Sequence, residues 1–263
     1  MDFNKDQAAY IDPVRLNYKS TFKFKCHPGV ACFTKCCRGI NIILTPYDII
    51  QLKNRLGLNS EDFLAIYTEP HLLEKTDLPM VTLKLIDDDQ QSCPFVKDDG
   101  CIIYKDRPTT CRYYPLGTAT LQHKEGADDS GFFFFVHEPH CKGFEEDCQW
   151  SVADWRQDQG VTERDQANAE WTDLVVRKRS FPANIKLTDQ AKQMFFMVSY
   201  NIDKFRSFVF ESSFLKRIQV DADTQEKLKT DDVALLKFGV AWLKNLLFKQ
   251  NDPHEQASRT DSK

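Results

Sequence analysis

The chain has 263 residues, with 35 Lys and Arg set against 39 Asp and Glu for a formal net charge of −4. At ~150 residues per domain this is one large domain or two modest ones, long enough to bury a core without covalent staples. The balanced charge excludes an electrostatic footprint for nucleic acid, and the best basic run, "VVRKRS" (175–180), reads as the cationic last turn of a helix.

The N-terminal stretch "MDFNKDQAAYIDPVRLNYKS" has no basic segment followed by an apolar one, so it does not read as a secretory signal. The most apolar short run, "GFFFFVHEP" (131–139), falls far short of the ~20 residues of a membrane span. The expectation is a soluble cytoplasmic protein that contacts neither membrane nor nucleic acid. In a reducing compartment, abundant cysteine points to metal or redox chemistry rather than to disulfides.

The chain carries nine cysteines, all in its first 148 residues. The first group lies in "CHPGVACFTKCCRG" (26–39): Cys26, Cys32, Cys36 and Cys37. A loop this short gathers thiolates at small entropic cost, and Pro28 and Gly29 let it turn. The adjacent pair Cys36–Cys37 is awkward for a single zinc ion, because neighbouring side chains point apart and zinc loops favour spaced pairs. It suits two centres or a polynuclear one.

Next comes a helix over 46–56. Thr45 is its N-cap, Pro46 its first residue, Asp48 an acid in the first turn and Gly57 its stop. A second short helix spans 60–67. "MVTLKLI" (80–86) is a strand. "SCPFVKDDGCIIY" is a hairpin turning at Asp99-Gly100, with Cys93 and Cys101 facing each other across it. "KDRPTTCRYYP" places Cys111 on a helical turn near Pro108. A second hairpin over 116–139, with a polar tip, returns "HCKGFEEDC" (140–148) towards the thiols. Cys141 thereby joins the group, and Cys148 is left as a free thiol. His27 and His140 adjoin cysteines and are minor ligand candidates beside the sulfurs.

From Ser151 onward the pattern is helical: 151–160, a helix capped by Thr162 with Asp165 in the capping-box position, a wide apolar stripe over 187–210, and 230–248. The polar tail 251–263 reads as disordered. The domain division is therefore a cysteine-cluster domain (1–150), a helical region (151–250) and the tail (251–263). The fold class is α+β: a small cysteine-rich domain of short antiparallel strands and metal-binding loops packed against C-terminal helices.

The stretches "CFTKCCRGINIILTPYD" and "CPFVKDDGCIIYKDRPTTCRYYP" together resemble the YkgJ-type cysteine-cluster family, also called the CxxCxxCC or zinc- or iron-chelating domain family. The second stretch carries the likeness most specifically, through Cys93-Pro94-Phe95, Gly100-Cys101, Ile103-Tyr104, Arg107-Pro108, Cys111-Arg112 and Tyr114-Pro115. The first is looser than the family name's spacing. The resemblance covers about residues 20–148. It implies a metal-chelating module, and a relationship to flagellin lysine methylases makes a protein-modifying enzyme one alternative.

No P-loop, G-x-G-x-x-G, G-x-S-x-G or H-E-x-x-H pattern occurs, and no catalytic residue is assigned. The expected ligands are Cys32, Cys36, Cys37, Cys93, Cys101 and Cys111, then Cys26 and Cys141. The expected cofactor is an iron–sulfur cluster or iron, with Cys93-Pro94 similar to the Cys-Pro of bacterial ferredoxins. Zinc in a protein-binding module is the alternative, and the partner is a redox protein or another protein. Arg107 and Arg112 are candidates to offset thiolate charge. Phe33, Phe95, Tyr104, Tyr113 and Tyr114 are candidates for a dry aromatic shell.

Overall fold

The computed structural model describes residues 10–12, 14–120, 131–182 and 185–248. The tip of the second hairpin, His123, the tail 251–263 and His254 lie outside the described residues.

The fold is α+β, with short antiparallel strand pairs beside a larger helical layer. The strands are β1 (Thr21–Lys23), β2 (Thr68–Leu73), β3 (Leu78–Leu83), β4 (Val96–Lys97), β5 (Gly100–Cys101), β6 (Leu116–Thr120), β7 (Gly131–Phe135) and β8 (Gln149–Ser151). They pair as separate two-stranded ribbons: β1 with β8, β2 with β3, β4 with β5, and β6 with β7. The β1–β8 pair joins Thr21 to Ser151 and so ties the two ends of the cysteine-bearing segment together.

Two helices come first, α1 (Pro46–Leu56) and α2 (Ser60–Tyr67). α1 begins as its sequence requires: Thr45 and Asp48 form a reciprocal capping box, Pro46 follows, and Gly57 ends the helix in the left-handed region at φ 67°. The short α3 (Thr109–Tyr113) follows β5.

The C-terminal layer comprises α4 (Val152–Asp158), α5 (Val161–Arg179), α6 (Asp189–Tyr200), α7 (Ile202–Glu211), α8 (Phe214–Arg217), α9 (Ala222–Thr230) and α10 (Asp232–Phe248). Three sequence expectations are corrected here. Gly160, at φ 61°, starts α5 in place of Thr162, without a side-chain cap. Asp165 does not close a capping box; its carboxylate accepts from the Tyr113 hydroxyl at 2.5 Å and pairs with Arg156 at 2.9 Å. The 187–210 stripe is two helices, broken at Asn201, whose side chain accepts from the Lys204 N–H to cap α7.

One apolar core runs from Ile42, Leu52, Phe63, Val81 and Phe95 into Trp171, Phe195, Phe205, Leu236 and Leu243. A second, smaller core joins Phe22, Phe24, Tyr113 and Phe133 to Val152, Trp155 and Val161. The helices thus share their interior with the cysteine-bearing half. Asp48, fully buried, pins the seam: its Oδ1 accepts from the Thr109 N–H at 2.8 Å and hydroxyl at 2.7 Å, and meets Arg164 at 3.3 Å. Among the described residues, no helix is long and apolar enough to cross a membrane.

Candidate metal centre

The first cysteine loop is aimed by a strained turn. Thr34, β-branched and at φ 66°, precedes the 3-10 turn Lys35–Cys37 that presents Cys36 and Cys37. The Arg38 guanidinium holds the turn by donating to the Thr34 carbonyl at 3.2 Å and hydroxyl at 3.1 Å.

Backbone bonds then lay this loop against the second group. The Cys93 N–H donates to the Cys37 carbonyl at 2.8 Å, and the Gly39 N–H to the Gln91 carbonyl at 3.0 Å. Gly100, at φ 127°, makes the turn into β5, and a Cβ there would stand 3.3 Å from the Phe33 ring. The hairpin register differs from expectation. Cys101 pairs with Val96, and Cys93 lies in the approach to β4 rather than opposite Cys101. Cys101 still lies close enough to raise the Cys93 thiol.

Cys26, Cys32, Cys36, Cys37, Cys93, Cys101, Cys111 and Cys141 all line one cavity of about 1020 Å³; Cys148 does not. Cys36 is the hub. Contact with Cys37, then burial, drives its thiol far above the usual range. Cys26 is exposed as a residue, but its thiol faces the cavity and is pushed up to about 11, by desolvation first and then by Cys36, Cys32 and Cys141. Desolvation raises Cys93 to about 11, and Cys101 and Cys36 add to it. Burial raises Cys111, with Cys93 and Cys36 contributing. Desolvation likewise raises Cys101 and Cys141, each also under the influence of Cys36.

The physical content is desolvation first and mutual repulsion second: several thiolates in one poorly solvated space cannot all ionise without a compensating cation. Arg107 is one source of compensation, since its charge lowers the Cys26, Cys101 and Cys111 thiols. It also stacks on the Tyr104 ring at 3.9 Å and donates to Gln159. Arg112 has a different role from the one expected. It donates to the carbonyls of Gln159 at 2.6 Å, Arg107 at 3.3 Å and Lys105, so it clamps backbone.

His27 has both ring nitrogens engaged, one with Glu146 at 3.1 Å and one accepting from the Gly29 N–H at 3.1 Å. His140 lies at the cavity with Glu138 and Tyr114, and neither Glu138 nor the hydroxyl of Tyr114 was legible as a donor in the sequence. Phe33, Phe95, Tyr104, Tyr113 and Tyr114 line the same space, though Tyr104 is 59% exposed and shields little.

Among the described residues, no group of three or more His, Cys, Asp or Glu side chains is drawn in closely enough to hold one ion as it stands. The thiols line a space rather than a finished shell. The donor chemistry nevertheless fits a soft or borderline metal, and closing the last distance is what ligand bonds accomplish when metal binding and folding are coupled.

Residues 25–149 match the family model described as "CxxCxxCC: Putative zinc- or iron-chelating domain". The match begins next to Cys26 and ends at Gln149, the first residue of β8, so it spans every cysteine of the chain. No curated protein and no solved structure matches the chain significantly.

Proposed function

We propose that this chain is a cytoplasmic metal protein that holds iron, as an iron–sulfur cluster, on Cys32, Cys36, Cys37, Cys93, Cys101 and Cys111, with Cys26 and Cys141 completing the donor set. One observation supports this above others: the eight thiols singled out by position border one extended cavity, Cys36 lies close enough to act on Cys26, Cys93, Cys101, Cys111 and Cys141, and the ninth thiol, Cys148, is outside it. A chelating domain of this description uses thiolates, and the adjacent Cys36–Cys37 pair suits a polynuclear centre or two neighbouring centres. Such a centre supplies electron transfer or redox sensing, and a protein redox partner is its natural counterpart.

In this reading the chain's own residues bind and tune. Arg107 offsets thiolate charge, the Lys142 N–H donates to the Cys32 sulfur at 3.1 Å, and the rings of Phe33 and Phe95 limit water. A second reading, zinc in a structural role, is favoured by one feature: the nitrogen and oxygen atoms of His140 and Glu138 line the same cavity as the thiols. Metal analysis with visible absorption, on protein purified without oxygen, separates the two. Iron with matching acid-labile sulfide and a brown colour supports the cluster. Stoichiometric zinc in a colourless sample supports the structural role, and absence of bound metal overturns both.

A further inference from the structure

The thiols around Cys36 divide between two ends of the cavity. At one end stand Cys93, Cys101 and Cys111, carried by the β4–β5 hairpin and α3. At the other stand Cys32 and Cys141, joined through the Lys142 N–H that donates to the Cys32 sulfur, with Cys26 close enough to feel both. Among the described residues, the unpartnered oxygen and nitrogen donors stand at the second end. A tight turn, in which the Cys141 N–H donates to the Glu138 carbonyl at 2.9 Å, sets Glu138, His140 and Cys141 on one bend. The next N–H, of Lys142, donates to the Cys32 sulfur and brings the first loop to that bend.

Two polar atoms of this bend, Glu138 Oε2 and His140 Nε2, are buried with no hydrogen-bond partner among the described residues, and the Tyr114 hydroxyl nearby has only the Cys141 thiol beside it. Arg38 Nε is the one other described side-chain atom in that condition. A buried polar atom without a partner is unfavourable, so two on one bend call for a missing partner. His140 Nε2 and Glu138 Oε2 are 3.6 Å apart. That is too long for a hydrogen bond. It is close to the ~3.4 Å edge of a tetrahedral site with metal–ligand bonds of ~2.1 Å.

Resting on the metal-binding reading above, but moving Cys32 and Cys141 from its cluster to a second centre, we propose that this end of the cavity is a distinct mixed-donor site for a divalent borderline metal such as zinc, with Glu138 and His140 as oxygen and nitrogen ligands beside Cys141 and Cys32. The Cys93, Cys101 and Cys111 end takes sulfur ligation only, and Cys36 stands between the two. Imidazole and carboxylate suit zinc or ferrous iron, whereas an all-thiolate shell suits a cluster. The two ends therefore differ in the metal they prefer. The Tyr114 hydroxyl, beside Cys141, is placed to donate to the thiolate or to a ligand oxygen.

The test uses the full chain, purified without oxygen and titrated with zinc alone, read by metal analysis and zinc-edge X-ray absorption. The expected result is a shell containing nitrogen or oxygen with imidazole scattering alongside sulfur. Glu138→Gln and His140→Gln, together, remove that scattering and one equivalent of zinc while leaving metal at the all-sulfur end. A purely sulfur shell in the wild type, or an unchanged shell and stoichiometry in the double variant, overturns the mixed site and leaves the thiolate reading standing. Failure of the wild type to bind any metal overturns both. The wild-type spectrum decides the question even if the double variant does not fold.

Discussion

The backbone N–H of Lys142 donates to the sulfur of Cys32 across 3.1 Å, joining two loops 110 residues apart in sequence. The Cys93 N–H does the same for the other side of the first loop through the Cys37 carbonyl. Both bonds sit where metal ligation would pull the loops together. Removing metal with a chelator is therefore expected to speed amide exchange at Lys142 and Cys93 strongly, while α10, buried through Leu236 and Leu243, keeps its protection. Hydrogen exchange with and without chelator measures this. Unchanged exchange at both amides would show that the loops hold themselves without metal.

Cys36 and Cys148 form an internal comparison. Cys36 affects Cys93, Cys101, Cys111 and Cys141, whereas Cys148 lies outside the cavity and contributes its carbonyl, which accepts from the Phe24 N–H at 2.9 Å. Cys36→Ala should weaken metal binding by at least ~tenfold, at or beyond the loss typical of an outer-shell partner. Cys148→Ala should leave metal content unchanged, because its backbone bond survives the substitution. Competition with a chelator of known affinity reads both variants, and equal binding by the two would remove Cys36 from the ligand set.

The arginines separate stability from tuning. Arg112 satisfies the carbonyls of Lys105, Arg107 and Gln159, and Arg112→Met leaves them without that donor. The expected cost is about 2 kcal/mol in denaturant unfolding, from lost charge-assisted hydrogen bonds. Arg107→Gln keeps a polar side chain near Gln159 but removes the charge that lowers Cys26, Cys101 and Cys111. It should weaken metal binding more than it weakens folding. A reversal of these effects between the two variants would show that the roles have been exchanged.

What could be read in the sequence was local. The α1 cap depends on Thr45, Pro46, Asp48 and Gly57, all within 13 residues, and the α4 cap on Ser151, which accepts from the Asp154 N–H. β2 was missed because "TEPHLL" is polar and contains Pro70; it is a ribbon strand held by its pairing with β3, Thr68 opposite Leu83. The break at Asn201 was hidden because apolar residues recur on both sides of it in helical period. The thiols were legible because a cluster of cysteines is rare in any composition. Glu138 was not, since a lone acid gains meaning only when the fold buries its oxygen beside His140 and Cys141. Asp48 was legible as a cap, but its role under Thr109 and Arg164 depends on residues 61 and 116 positions away.

The helical layer is attached through an ion cluster whose pH response has a definite sign. Lys53 of α1 meets Asp232 at 3.0 Å and Asp203 at 3.4 Å, and Arg206 donates to Asp232 as well. Burial alone would raise the Asp232 carboxyl, but hydrogen bonds and charge from Arg206 and Lys53 outweigh it and hold the group below the usual carboxylate range. A carboxyl lowered by folding adds stability at pH above its unfolded value of ~3.9, and that stability is lost as pH falls through the lower folded value. Asp232→Asn should therefore cost about 2 kcal/mol at neutral pH, in the range of a hydrogen bond to a charged group. The gap between wild type and variant should close as the solution is acidified below ~4. A gap independent of pH would mean that Asp232 acts by shape rather than by charge. In that case Lys53 would rely on Asp203 for its buried charge.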